Sequence, residues 1–177
     1  MERSKVFFTD FRTTAFGESM PAKLKRLVRK AGIADIDMDG KFVAIKMHFG
    51  ELGNVSYLRP NYAKAVVDGR ESFHISLIVD VSPYCDCHAE NDAPILPDIG
   101  MFASKDPVAL DQACADACLA AEPMPNSVLD DHLREEGFHN HHDHFKNTTP
   151  ESEWETQLIH GERIGLGTRS YELVLVK

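Results

Sequence analysis

Residues 73–88 read FHISLIVDVSPYCDCH. The first nine are nearly continuous in apolar, β-favouring residues, which predicts a central strand buried on both faces. The strand runs directly into Ser82-Pro83-Tyr84 and then Cys85-x-Cys87-His88. Open α/β sheets bind ligands beyond the C-terminal ends of their strands. A chemically loaded loop therefore leaves this strand where such folds place their sites.

Working outward, the remaining elements alternate. Residues 5–11 (KVFFTDF) predict a first strand. A helix is predicted over 20–31, with Pro21 near its start and Gly32 just past its end. Leu24, Leu27, Val28 and Ala31 recur on one face at helical spacing. Lys23, Lys25, Arg26, Arg29 and Lys30 cover the rest and read as a solvated face. Residues 41–49 (KFVAIKMHF) predict a second strand, 50–56 a loop and 60–68 a helix. A short strand over 98–104 precedes Asp106-Pro107, an N-cap and first-turn signal for a helix to about residue 121. Residues 126–147 are polar and read as the least structured part. A last helix is predicted from Thr149-Pro150, with Trp154, Leu158 and Ile164 as core residues. Gly165 and Gly167 end it, and 170–176 form a final strand. The expected class is α/β, a mainly parallel or mixed sheet flanked by helices, in one domain spanning 1–177.

Composition narrows the function. The 177 residues are 43% hydrophobic and 27% charged, as in ordinary globular proteins. A net charge of −9 argues against nucleic acid or an anionic membrane as partner. No apolar run approaches the roughly 20 residues of a membrane span, and residues 1–5 do not lead into a signal-peptide core. A cytoplasmic location is expected.

The chain has four Cys and nine His. In a reducing compartment such residues suggest metal or redox chemistry before disulfides. Cys85 and Cys87, two apart in extended chain, can converge on one ion. His88 joins them if the backbone turns. Thiolate and imidazole suit zinc, copper(I) or an iron–sulfur centre. Alternatively, the two thiols merely pack. Cys114 and Cys118 share a helical stripe with Leu110, Ala113, Ala117 and Ala121, and read as core. Of the histidines at 139–144, His139, His141 and His142 read as solvated. His144, between Asp143 and Phe145, reads as better fixed and is a candidate ligand. A second constellation, Lys46, His48, Asn54 and Arg59, could hold a small anionic ligand, with Gly50 and Gly53 permitting close approach. Salt bridging to Glu51 or an Asp explains Lys46 and Arg59 equally well. No phosphate loop, Gly-x-Gly-x-x-Gly after a strand or Gly-x-Ser-x-Gly is present, so no nucleotide motif is found.

Several of these stretches together resemble one family. They are FVAIKMHFGELGNVSYLRP (42–60), DVSPYCDCHAENDAPILPDIG (80–100), DPVALD (106–111), DHF (143–145) and IGLGT (164–168). The family is an uncharacterised bacterial and archaeal one, a domain of unknown function whose members are described as iron–sulfur-centre proteins. Its typical members carry a central ferredoxin-like insert with two Cys-x-x-Cys-x-x-Cys-x-x-x-Cys runs. This chain has neither; the insert is absent near residues 68–72. The resemblance implies a metal-binding protein with an iron–sulfur cluster or zinc at Cys85, Cys87 and His88, with His48 or His144 completing the shell, and a redox partner. The alternative is a metal-free anion binder or enzyme remnant using Lys46, His48 and Arg59. Loss of the insert would uncover a sheet edge, and exposed edges invite pairing. A homo-oligomer is therefore expected, and a monomeric mass by light scattering across the micromolar range would overturn it.

Overall fold

The computed structural model describes residues 3–13, 17–37, 39, 73–84, 91–135 and 142–177. The strand expected over 41–49 and the helix expected over 60–68 lie outside the described residues.

Four strands form one mixed sheet in the order β2-β3-β1-β4: β1 (Ser4–Thr9), β2 (His74–Ile78), β3 (Gly100–Ser104) and β4 (Tyr171–Leu175). β3 is antiparallel to both β1 and β2, and only β1 and β4 are parallel. Of the two sheet types expected, the mixed one is found. All five residues of β3 are buried. β3 and β1 are thus the inner strands of the described sheet, and β2 lies at its edge. Only Ile78 of β2 is fully buried. The physical reason is position: β2 ends the strand order of the described sheet, with β3 on one side only.

Each face of the sheet carries its own core. Helix α1 (Met20–Lys30) covers one face. Its N-cap Ser19 accepts a hydrogen bond from the Ala22 N–H, Pro21 lies in its first turn, and Arg29 and Lys30 close its negative end. Leu24, Leu27 and Val28 pack there with Met101, Ala103 and Val176. Burying each such side chain stabilises the fold by roughly 1.5–3 kcal/mol. Lys23 departs from the expected solvated face. It is 8% exposed, and its ammonium reaches Asp10 Oδ1 (2.6 Å), Asp10 O (2.7 Å) and Arg12 O (3.0 Å). Three oxygens replace the water that the charge loses on burial. That ion pair holds the Asp10 carboxyl below its usual range.

Helix α2 (Pro107–Leu119) covers the other face. Val6, Phe102, Ala109, Leu110, Ala113 and Leu129 form its core. The polar stretch expected to be least structured instead holds two short helices, α3 (Val128–Arg134) and α4 (His144–Thr148), each started by a side-chain cap, Ser127 and Asp143. These caps supply what weak helix propensity does not. Helix α5 (Trp154–Arg163) begins five residues after the expected Thr149. Leu158 is buried as expected, but Ile164 is 61% exposed because it lies past the helix end. There Gly165 takes φ +77°, and the N–H groups of Gly165 and Leu166 return to the carbonyls of Glu162 and Gly161. This is the glycine C-cap that the sequence implied. No helix among the described residues is long and apolar enough to cross a membrane.

One carboxylate joins these layers. Asp106 caps α2 through the Ala109 N–H (3.0 Å). Its other oxygen accepts from Ser4 Oγ (2.7 Å) and the Thr168 N–H (3.0 Å). Gly167 lies so close that a Cβ there would overlap the carboxylate. Asp106→Ala is expected to lower unfolding free energy by about 2–4 kcal/mol, combining a lost cap with donors left unpaired. Gly167→Ala should also destabilise, since the carboxylate cannot move without breaking those bonds. Urea unfolding monitored at the single Trp154 checks both.

Candidate functional site

β2 ends in a tightly tied exit. Ile78 O accepts from the Ile99 N–H (3.0 Å) and Val81 O from the Ile95 N–H (2.7 Å). Between them Asp80 adopts φ +47°, and its N–H donates to Asp98 Oδ1 (3.1 Å). Such a conformation is strained for a non-glycine residue and persists only where surrounding bonds hold it.

Asn91 then closes a neck. Its Oδ1 accepts from the Tyr84 N–H (3.2 Å), and its Nδ2 donates to Tyr84 O (2.9 Å) and Ser82 Oγ (3.1 Å). The residues on either side of 85–90 are thus clamped together. A clamp of this kind meets the entropic cost of bringing the ends of a loop together. Cys85, Cys87 and His88 themselves lie outside the described residues, as do Lys46, His48, Asn54 and Arg59, and His139 and His141. His142 is exposed, as expected.

His144 is the one expected site residue that the structure describes. It opens α4 directly after the N-cap Asp143, whose carboxylate also accepts from Trp154 Nε1 (3.1 Å). The ring is 6% exposed. Its Nε2 lies 3.0 Å from Ala121 O. A carbonyl can only accept, so Nε2 carries the proton, and in the neutral ring the lone pair sits on Nδ1. Nδ1 is buried without a hydrogen-bond partner. Ring N–H to carbonyl on one side and a bare nitrogen on the other is how metal-binding histidines are oriented. His144 therefore fits a metal ligand. Among the described residues, no three His, Cys, Asp or Glu side chains are grouped to hold an ion.

The other two thiols pack in the core. Cys118 is buried and Cys114 half-buried, both in the α2 core. Burial pushes the Cys114 thiol up to about 12, against a partly offsetting hydrogen bond from Ser76. Burial likewise raises Cys118 to about 11. Reactivity and metal binding need the thiolate, so the core reading holds.

A cleft of about 360 Å³ lies beside the β2 exit. Val81, Pro83, Ile95 and Phe145 give it apolar walls, and Thr148, Thr149, Glu151 and Ser152 line it with polar groups. Thr149 Oγ1 donates to Pro83 O (3.3 Å) and holds the two sides together. Phe145 is seated by the Trp154 ring, with centroids 5.3 Å apart. Sequence reading missed this cleft because it took Thr149-Pro150 as a helix start. The only signal was Pro150 itself, which breaks the chain between α4 and α5.

Residues 70–116 match the model of a family described as a domain of unknown function, DUF362. The matched segment contains β2, its exit, the Cys85–His88 stretch, β3 and most of α2. The description names no metal, ligand or activity. No curated protein and no solved structure matches the chain.

A pH prediction follows from the buried thiols. Their folded pKa values lie above the ordinary 9.0, so the folded state holds these protons more tightly than the unfolded state. The stability they contribute is complete below about pH 9 and is lost as pH rises toward 11–12. Melting temperature should fall over that window, and less so in a Cys114→Ala/Cys118→Ala double variant. At pH 7.5 a thiol reagent should modify Cys114 and Cys118 only after denaturation.

Proposed function

We propose that the protein binds a metal ion at Cys85, Cys87 and His88, with His144 Nδ1 as the fourth ligand. The observation that carries the reading is the buried, partnerless Nδ1 of His144, its ring oriented by Ala121 O. The clamp between Tyr84 and Asn91 supports it, because it tethers both ends of the Cys-bearing stretch.

The donor set bears on the kind of ion. The chain has four Cys, and two of them belong to the α2 core. A four-thiolate cluster cannot be assembled from this chain alone. Two Cys and two His compose a structural zinc site. They also compose the mixed ligation of a two-iron, two-sulfur centre. Zinc is the simpler occupant, since it requires no assembled cluster. In either case the bound group would supply electrophilic or redox character at the β2 exit, and a redox partner belongs to the second case only.

The test is elemental analysis of protein purified without chelator, beside Cys85→Ser/Cys87→Ser and His144→Ala variants. About one zinc per chain is expected in the parent, less than a tenth of that in the double variant, and a roughly 10–100-fold weaker affinity without His144. Iron with visible absorption would assign the cluster instead. Equal metal in parent and double variant would overturn the site.

A further inference from the structure

We infer that the cleft beside the β2 exit binds a small organic cation: a primary amine with a compact apolar body. The inference stands apart from the metal site and uses described residues only.

The volume fits a small molecule. At roughly 30 Å³ per water-sized group, about 360 Å³ admits on the order of a dozen non-hydrogen atoms. The apolar walls, Val81, Pro83, Ile95 and Phe145, favour an aliphatic or aromatic body.

The polar lining selects the head group. Most of its hydroxyl protons are already spent inside the protein. Ser82 Oγ donates to Tyr84 O (2.8 Å), Thr148 Oγ1 to His144 O (2.8 Å) and Thr149 Oγ1 to Pro83 O. What these oxygens still offer is lone pairs. Glu151 adds a carboxylate that makes no hydrogen bond or ion pair with any other described residue. Among the described lining residues it is the only charged one. The nearest cation on α4, Lys146, is directed at Glu153 (4.0 Å). The cleft thus presents a surplus of acceptors and one negative charge. A ligand rich in donors, and above all an ammonium, satisfies it, whereas a carboxylate or phosphate would meet more acceptors than donors and the Glu151 charge.

The experiment uses the full chain and two probes of matched shape, phenethylamine and phenylacetate. Binding is read by protein-observed NMR titration, with melting temperature as a second readout. Phenethylamine is expected to saturate with a Kd in the roughly millimolar range, and phenylacetate to bind at least about tenfold more weakly. Glu151→Gln should weaken the amine about three- to tenfold, the modest effect of a partly exposed charge, and narrow the gap between probes. Ser152→Trp, which fills the cleft, should abolish amine binding. Both positions lie outside helices and strands, and unchanged melting temperatures without ligand will show that the variants fold. Equal affinity for the acid, unchanged amine affinity in Glu151→Gln, or no saturable binding of the amine would each overturn the proposal. None of these outcomes depends on whether metal is bound.

Discussion

The carboxylate of Asp106 is the constraint on which the described architecture rests. One oxygen ends the helix that covers β3; the other holds Ser4 at the start of β1 and the Thr168 N–H just before β4. Ser104 Oγ extends the junction by accepting from the Asp106 N–H and donating to Lys5 O. Residues a hundred positions apart are thereby fixed by a group too short to stretch. Charge-assisted hydrogen bonds of this kind are stronger than neutral ones. Gly167 lacks a side chain where the chain must pass that carboxylate. With this corner set, β1 can pair with β3 on one side and β4 on the other.

The opposite end of the sheet is where chemistry is concentrated. β2 and β3 are antiparallel and consecutive, so their connection needs no crossover helix. Residues 79–84 and 91–99 leave the strands as irregular chain, pinned by backbone bonds at Ile95 and Ile99 and by the Asn91 amide. The sequence between them bears the Cys-x-Cys-His motif and falls inside the family match over residues 70–116. α4 closes over this exit. It contributes His144 on one side of its single turn and a wall of the cleft on the other. The proposed metal site and the proposed cation cleft would thus share one scaffold.

The described cysteine pair shows what burial does to a thiol. Cys114 and Cys118 lie on a helix whose stripe of small residues faces the sheet, and desolvation keeps them protonated. Cys85 and Cys87 lie in sequence beyond a strand end, between clamped residues. Spacing identified Cys114 and Cys118 as core, because a helical stripe of Ala and Leu announces packing. The two described histidines of the 139–144 run were sorted as expected. His142 and His144 differ by two positions, yet one is exposed and one is buried.

The four described strands, helices α1 and α2 and the Gly165 stop were legible in the sequence, because each depends on residues within a few positions; the short capped helices α3 and α4 were not. Pro21 and Asp106-Pro107 are local signals. The choice of β3 as a buried inner strand was not legible. It depends on one face being covered by α1, some seventy residues earlier in the chain, and the other by α2, which follows directly, and GMFAS carries no mark of that. Nor was the ion pair of Lys23, whose acceptors belong to the end of β1, or the cleft, whose walls come from segments more than sixty residues apart. Local chemistry is written in neighbouring residues; burial, partner and cavity are properties of the chain only after it has closed on itself.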